Sequence, residues 1–342
     1  MILILLLGPF AQQSVSVGPR EVVDLTRNAS VPVVVDYDEI SNQWADPDPS
    51  MGNKSFQPPT TPTQIQITRG LVDSDGADYN EVPSSCSTAN CTFDPYVSLG
   101  ICSTLEDYTS HITLNCTQNQ NCTHTVDELA ITPNQHHDFG QSSLLWITPR
   151  RLNSTFDDEN SKIILGEEVS GANKYAAGSL VEFYIYFYSK DKFQTPDANR
   201  TDPRAFKGSL RFCLHEYQTV FQAGLTKTTL LRTYDHLQWR RRTVHLEGLK
   251  AWVEVPNSSN HTQYEIRIPA RNALEDYLRW KVFTGNLENW SQRENTTNGA
   301  AVVAFTKAIF HLDETWPRWQ GEKSFKQAER VLQNVAVRMT NG

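Results

Sequence analysis

The middle of the chain shows a series of apolar segments with the periodicity of β-strands. The segment Leu180–Tyr188 is apolar at almost every position and rich in aromatic residues, which predicts a strand in the centre of a sheet. The segments Leu210–Val220, Lys250–Val255 and Tyr264–Ile268 alternate apolar and polar positions, as strands with one buried face do. Glycine, proline and asparagine between these segments predict the connecting turns.

The apolar period lengthens in the C-terminal part of the chain. Apolar positions at helical spacing predict one helix over about 270–283 and a second helix that begins near Phe325. The segment Ala300–Leu312 suits a helix or a strand, and we favour a helix. Strands followed by helices predict an α+β fold, with an antiparallel β-rich domain, C-terminal helices and stabilising disulfides.

Residues 21–80 are acidic and rich in proline. Their pattern predicts a short strand at Val33–Val35 and otherwise an irregular surface segment up to residue 80. The resulting division is a leading segment 1–20 and a single domain 21–342, with a cysteine cluster at 86–122, the main sheet at 175–270 and a helical part at 270–342.

Composition and motifs exclude several classes of function. The formal net charge of −8 gives no counterion-release advantage on nucleic acid, so DNA and RNA are not expected partners. The chain has no phosphate-binding loop, no G-x-S-x-G elbow and no H-E-x-x-H motif. We therefore predict no catalytic residue, no metal and no cofactor.

Asparagine patterning points to the secretory pathway. The chain has 22 asparagines, and 11 of them lie in N-x-S/T sequons, whereas chance would place about 3–4 there. Because a glycan must face solvent, this spread predicts a lumenal or extracellular chain. The predicted glycosylation sites are Asn28, Asn53, Asn90, Asn115, Asn121, Asn153, Asn199, Asn257, Asn260, Asn289 and Asn295.

The cysteines agree with this placement. An even number with crowded spacing favours a disulfide framework in an oxidising compartment, although 15 pairings remain open. The alternative is a zinc site that would use His111 or His124, but no C-x-x-C pair accompanies them. The six predicted disulfide cysteines are Cys86, Cys91, Cys102, Cys116, Cys122 and Cys213.

Other chemistry-bearing clusters have simpler explanations. Asp157–Glu159 and the pair Glu167 and Glu168 offer carboxylates for glycoside hydrolysis, but the sequon at Asn153 favours a solvated loop. His136–Asp138 is a metal candidate whose adjacent side chains would point to opposite faces of an extended chain, which favours a polar loop. The candidates for stacking on sugars are Trp290, Trp316 and Trp319.

One basic cluster stands out in this acidic chain. Arg240, Arg241 and Arg242 follow Trp239 and offer a contact for an anionic headgroup or wall polymer. The alternative is a solvated edge strand whose charges discourage pairing with another chain.

The cysteine cluster also carries a family resemblance. The run CSTANCTFDPYVSLGICSTLEDYT at 86–109 resembles the C-P-T-G-N-C-T-W-P-x-F-x-S-L-G-V-C-S-x-C hallmark of fungal multi-pass membrane proteins in the family labelled domain of unknown function 3176. Stretches at 8–16, 208–217 and 334–342 agree with the same family. The resemblance spans the chain and implies the extracytoplasmic loop between membrane helices. It carries over no catalytic residue, because the family has no established activity.

Two positions depart from the family pattern. Leu105 and Gly208 stand where the family has cysteines. We hypothesise that these two positions pair in the family and that this chain has lost the whole bridge, at a cost of about 2–4 kcal/mol.

The functional expectation is a non-enzymatic surface module. The short apolar run Ile2–Leu7 is interpreted as the end of a transmembrane helix or a weak signal segment. We expect a membrane attachment through flanking helices, a cell-surface or secretory-lumen location (secreted, if the chain is complete), and a wall-polymer or protein partner. The alternatives are a secreted or wall-associated carbohydrate-active hydrolase or sugar-binding protein, and a truncated gene fragment without function.

Overall fold

The computed structural model shows a mixed α+β fold with antiparallel sheets, as the sequence pattern predicts. It describes residues 29–41, 57–72, 84–86, 90–116, 122–126, 129–131, 145–149, 179–190, 201–222, 225–235, 237, 239–244, 248–255, 262–287, 300–310 and 319–341.

The strands of these ranges are numbered in chain order. They are β1 (Ala29–Ser30), β2 (Asp36–Tyr37), β3 (Ser85–Cys86), β4 (Asn90–Thr92), β5 (Tyr96–Asp107), β6 (Ile112–Cys116), β7 (Cys122–Val126), β8 (Leu129–Ile131), β9 (Leu145–Pro149), β10 (Ser179–Lys190), β11 (Thr201–Gln222), β12 (Leu225–Tyr234), β13 (Trp239–Val244), β14 (Gly248–Glu254), β15 (Gln263–Arg267) and β16 (Gly285–Leu287). The helices are α1 (Thr61–Val72), α2 (Ile268–Tyr277), α3 (Ala300–Phe310) and α4 (Glu322–Asn341), with a 3₁₀ turn at Thr109–His111 and a π-helical turn at Leu278–Val282.

The long strand β11 is the spine of the largest sheet. Residues 206–211 pair with both β10 and β5, so these two strands lie on opposite edges of β11. Residues 214–217 pair with both β5 and β12, so β12 follows β10 along the same edge. Strand β4 continues the β5 edge, and β9 and β16 extend the sheet beyond β10. Strand β11, which is 22 residues long, thereby pairs directly with four of the other six strands of this sheet.

The segment Leu180–Tyr188 lies where its composition predicts. It forms most of β10, which is flanked by β11 and β9. Side chains of both faces are buried, including Phe183, Tyr184 and Ile185. A strand covered on both faces has few positions for polar residues, which explains its nearly continuous apolar pattern.

The main sheet is not confined to residues 175–270. It also takes β4, β5, β9 and β16 from outside that range, whereas β13, β14 and β15 form a separate four-stranded sheet with β2. A smaller sheet joins β6, β7 and β8. Local patterning reports that a segment is a strand, but the partner of each strand depends on contacts between distant parts of the chain.

The predicted C-terminal helices are confirmed. Helix α2 continues into the π-helical turn and together they span 268–282, close to the predicted 270–283. Helix α3 is buried on most of its surface, and α4 buries the stripe Ala328, Leu332, Val335 and Ala336. This spacing of three and four residues is that of a helix with one face against the core.

The interpretation of residues up to 80 as irregular was wrong for α1. This helix buries Ile67, Gly70 and Leu71 and packs against α4. Gly70 lies against the backbone of Val335, since a Cβ there would fall 2.5 Å from the Val335 Cα. The prolines near the start of α1 favour an irregular segment in the sequence pattern. Pro62 is nevertheless compatible with the helix, because the first N–H groups of a helix have no intrahelical partner.

The outer edge of β5 is covered rather than free. The Leu99 N–H donates to the Val34 carbonyl at 2.8 Å, and the Ile101 N–H donates to the Thr340 Oγ1 of α4 at 2.9 Å. The predicted strand at Val33–Val35 is displaced to Asp36–Tyr37, although the Val34 carbonyl still pairs with β5. Covering the edge removes a template for association with another chain.

No helix in the described ranges combines the length and the apolar character needed to cross a membrane.

Candidate functional site

Two disulfides form among the described cysteines. Cys86 is bonded to Cys91, and Cys102 is bonded to Cys213. Cys116 and Cys122 occupy directly opposite backbone positions of β6 and β7. The disulfides indicate an oxidising compartment, in agreement with the expectation from cysteine spacing.

The Cys102–Cys213 bridge joins two strands of the main sheet that are far apart in sequence. Cys102 lies opposite Arg211 and Cys213 lies opposite Gly100, so the bridge runs diagonally between β5 and β11. Its two Cα atoms are 5.8 Å apart, within the usual range for disulfides. It closes a loop of 111 residues, which in the chain-entropy model stabilises the fold by about 5 kcal/mol.

A buried histidine lies beside this bridge. His215 follows Cys213 by two residues on β11, so both side chains point to the same face of the sheet. Its Nε2 lies 3.4 Å from the Cys213 Sγ and 3.8 Å from the Cys102 Sγ. Its Nδ1 lies 3.2 Å from the Thr233 Oγ1 on β12. The ring is therefore held between three strands.

The surroundings of His215 determine its protonation state. Burial lowers the pKa of the imidazole, and a hydrogen bond with the backbone of Ile101 opposes this shift. The neutral ring is thereby favoured at physiological pH. Gly100 provides the space for the ring, because a Cβ at that position would meet the His215 Cδ2 at 2.4 Å.

A groove of about 360 Å³ opens over the bridge. Strands β5, β11 and β12 form its floor, and α4 forms one side. Cys102 and His215 line it together with three charged residues, which are Arg211, Asp235 and Glu329. Arg211 donates from a terminal guanidinium nitrogen to the Asp235 carboxylate at 3.0 Å. The groove therefore offers both signs of charge above a rigid, cross-linked floor.

A second cavity of about 40 Å³ is lined by residues of β5, α1 and α4 among others. Glu39 lines it and accepts a 2.7 Å hydrogen bond from the Thr60 hydroxyl. Burial raises the pKa of Glu39, the hydrogen bond from Thr60 partly opposes this shift, and the charges of Asp38 and Asp36 add to it. The other described lining residues include no second carboxylate, so this cavity does not present the acid pair of a glycosidase.

Most predicted glycosylation sites fall outside the described residues. Asn90 is exposed on β4, as a glycan acceptor must be, and Asn115 belongs to β6. Asn90 pairs with Gln222, seven residues along β11 from His215, which is about 23 Å at the rise of a strand. The sites outside the described residues are Asn28, Asn53, Asn121, Asn153, Asn199, Asn257, Asn260, Asn289 and Asn295.

The arginine cluster lies on an edge strand. Arg240, Arg241 and Arg242 belong to β13, which pairs only with β14 in the described sheet and stands at its margin. Their backbone partners are Trp252, Ala251 and Lys250. The placement agrees with the interpretation as a charged edge, and β13 belongs to a different sheet from β5 and β11.

Among the remaining candidate residues, the structure describes only Trp319. Trp319 is not an exposed platform for sugars, because its ring packs against Phe187 and Phe206 at centroid distances of 5.2 and 5.8 Å. Outside the described residues lie His136–Asp138, Asp157–Glu159, Glu167, Glu168, Trp290 and Trp316.

The histidine beside the bridged cysteines is neither of the two that the sequence suggests for zinc. His111 stacks on the Tyr108 ring at 3.8 Å and does not join the described metal-ligating cluster. The sequence signal for His215 is the alternation Cys213-Leu214-His215 in a predicted strand, which places a cysteine and a histidine on one face. The position of Cys102 beside them required the β5–β11 register.

Comparisons with protein families, with curated proteins and with solved structures give no match to this chain, so the conclusions about its function rest on its own residues.

Proposed function

We propose that this chain is the extracytoplasmic domain of a fungal membrane protein, and that it acts as a non-enzymatic binding module whose ligand enters the groove over the Cys102–Cys213 bridge. The observation that carries the proposal is that groove, which is about 360 Å³ in volume and lies over a cross-linked floor. Small-molecule sites are commonly clefts of about 300–1,000 Å³ with a few convergent polar groups. The 11 sequons and the family resemblance support the extracytoplasmic placement.

The charges of the groove favour a ligand with an amine. Arg211 and Asp235 compensate each other, and Glu329 adds a further negative charge from α4. Hydroxyl groups of Ser103, Thr104 and Thr233 add hydrogen-bonding positions. A polar ligand with one ammonium group and several hydroxyl groups, as in an amino sugar of a wall polymer, complements this lining.

Binding of glucosamine tests the groove. We expect glucosamine to shift the NMR signals of groove residues in the folded domain, while N-acetylglucosamine, which lacks the positive charge, binds more weakly. Glu329→Gln should reduce the affinity for glucosamine. Glu106→Gln is the matched control, since Glu106 is an exposed carboxylate of β5 that does not line the groove. Equal binding of both sugars, or no groove shift with either, would contradict the proposal.

Expression through a eukaryotic secretory pathway tests the placement. We expect a secreted product that loses mass when treated with peptide N-glycosidase and that shows no free thiols without reduction. A product without glycans and with reactive cysteines would refute the extracytoplasmic placement. This outcome is independent of whether glucosamine binds.

A hydrolase is the second candidate, because Asp235 and Glu329 place two carboxylates in one groove. The ion pair with Arg211 opposes this function, since the Asp235 carboxylate is already engaged by a guanidinium at 3.0 Å. Chitosan oligomers incubated with the secreted domain distinguish the two functions. Product that accumulates with the natural domain but not with Glu329→Gln would support the hydrolase and overturn the binding module.

A further inference from the structure

The side chains around the bridge form a ligand set for a metal ion. In the part of the chain that the structure describes, Cys102, Cys213 and His215 are the residues whose ligand atoms lie within 4.8 Å of one another. Thiolate sulfur and imidazole nitrogen are the ligands that zinc prefers in proteins. In the oxidised protein the two sulfurs are bonded to each other, so they are not available to an ion.

The distances from the imidazole to the sulfurs already suit a tetrahedral ion. Zinc bonds of about 2.3 Å to sulfur and about 2.0–2.1 Å to nitrogen place two such ligands about 3.6 Å apart at the tetrahedral angle. The Nε2 of His215 lies 3.4 Å from the Cys213 Sγ and 3.8 Å from the Cys102 Sγ. Only the two sulfurs must separate, to about 3.8 Å by the same geometry.

The surroundings provide the rest of a metal site. The Thr233 hydroxyl lies 3.2 Å from Nδ1 and can accept a proton from that nitrogen, in the tautomer that leaves the Nε2 lone pair for an ion. Two thiolates and a neutral imidazole balance a divalent cation, so the buried complex carries no net charge. Cys102 and His215 also line the groove, which leaves a fourth coordination position for water or a groove ligand.

We propose that Cys102, Cys213 and His215 bind one Zn²⁺ when the bridge is reduced, so that disulfide and metal are alternative cross-links of the same two strands. A dithiol reductant transfers two electrons and two protons to the bridge, and is itself oxidised to a disulfide. Zinc then displaces the two thiol protons and binds the two thiolates and the Nε2 of His215. This inference does not depend on the ligand or the location given under the proposed function.

Metal titration of a reduced variant tests the site. The substitutions Cys86→Ser, Cys91→Ser, Cys116→Ser and Cys122→Ser leave Cys102 and Cys213 as the remaining cysteines. After reduction and removal of the dithiol, we expect one equivalent of Zn²⁺ to bind, and Co²⁺ in its place to give the visible bands of a tetrahedral thiolate site. The oxidised variant should bind neither ion. Equal uptake by the oxidised and the reduced forms would overturn the proposal.

The role of the histidine is tested by a matched pair of substitutions. His215→Gln should lower the zinc affinity of the reduced variant by at least about tenfold, because the loss of even an outer-shell partner costs about 10–100-fold. His111→Gln should leave the affinity unchanged, since His111 is exposed and stacks on Tyr108. An unchanged affinity in the His215 variant would exclude this residue as a ligand.

A second measurement uses the unaltered chain and does not require the serine variant to fold. The reduced protein is treated with iodoacetamide with and without Zn²⁺, and alkylation is read for each cysteine by peptide mass spectrometry. We expect zinc to protect Cys102 and Cys213 and to leave Cys86 and Cys91 reactive. Alkylation of Cys102 and Cys213 at the same rate with and without zinc would overturn the proposal.

Discussion

Leu105 and Gly208 lie directly opposite each other on β5 and β11. Phe183 occupies the next position of the same row on β10, and its ring covers Gly208, since a Cβ there would fall 2.3 Å from the Phe183 Cζ. The ring is fixed in turn by stacking on Phe283 at 4.2 Å. Leu105 and Gly208, the two positions that the proposed family resemblance marks as departures, are thus neighbours, and an aromatic ring fills the space beside them.

The contact with Phe183 predicts the effect of the smallest substitution at this glycine. Gly208→Ala should lower the free energy of unfolding by about 1–3 kcal/mol, because the added methyl group overpacks the core. Phe183→Leu in the same chain should recover part of that loss. Urea denaturation of the two single variants and the double variant measures the coupling. Strictly additive losses would show that the ring does not limit this position.

The facing positions of Leu105 and Gly208 predict that a disulfide can form between them when the Phe183 ring is replaced by a smaller side chain. In the Phe183→Leu background, Leu105→Cys with Gly208→Cys should form an additional disulfide, since residues directly opposite in an antiparallel pair have Cα separations of about 4.5–5.5 Å. Intact mass with and without reduction, together with thiol counting, measures the outcome. Two unpaired thiols in the folded variant would refute the hypothesis that these positions pair in the family.

The two observed bridges should contribute unequally to stability. The loop closed by Cys102 and Cys213 spans 111 residues, whereas Cys86 and Cys91 are only 5 residues apart. The chain-entropy model assigns about 5 kcal/mol to the first and about 2 kcal/mol to the second. Cys102→Ser with Cys213→Ser should therefore lower the denaturation midpoint much more than Cys86→Ser with Cys91→Ser. Equal shifts would show that loop length does not govern these bridges.

The close approach of α1 and α4 predicts an exception to helix propensity. Alanine is favoured over glycine in a helix by about 1 kcal/mol, but a Cβ on Gly70 would meet the backbone of Val335 at 2.5 Å. Gly70→Ala should therefore destabilise the domain. Arg69→Ala is the control, because Arg69 is exposed on the same helix. A rise in thermal midpoint for Gly70→Ala would contradict the observed packing.

The environment of Glu39 predicts a dependence on pH. Burial raises the pKa of this carboxyl above the ordinary value of 4.5, so the folded state retains a proton that the unfolded state has lost. The contribution of Glu39 is fully present below pH 4.5 and is lost as the pH rises through the folded pKa. Glu39→Gln should remove this loss of stability. At pH values above the folded-state pKa of Glu39, the variant should therefore gain stability relative to the unaltered domain.

Stability curves against pH for Glu39→Gln and for the unaltered domain measure this effect. Glu106→Gln serves as the control, since Glu106 is exposed on β5. Parallel curves for Glu39→Gln and the unaltered domain would show that the carboxyl of Glu39 is not perturbed by burial.

Much of the fold was predictable because its signals are local. The apolar run Leu180–Tyr188 identified β10, and the stripe that includes Leu332 and Val335 identified α4, since each pattern reflects the side of the element that is buried. Helix α1 was not predicted, because its sequence combines prolines with a weak apolar stripe. Its stability comes from packing on α4, a contact between residues more than 250 positions apart.

The sequence by itself determined the kinds of elements, the number of cysteines and the positions of the sequons. The tertiary structure decided which residues meet: Cys102 with Cys213, His215 with both sulfurs, and Leu105 with Gly208. The physical reason is that periodicity records whether a residue faces the core, whereas the register between β5 and β11 is selected by the joint packing of segments that are about a hundred residues apart.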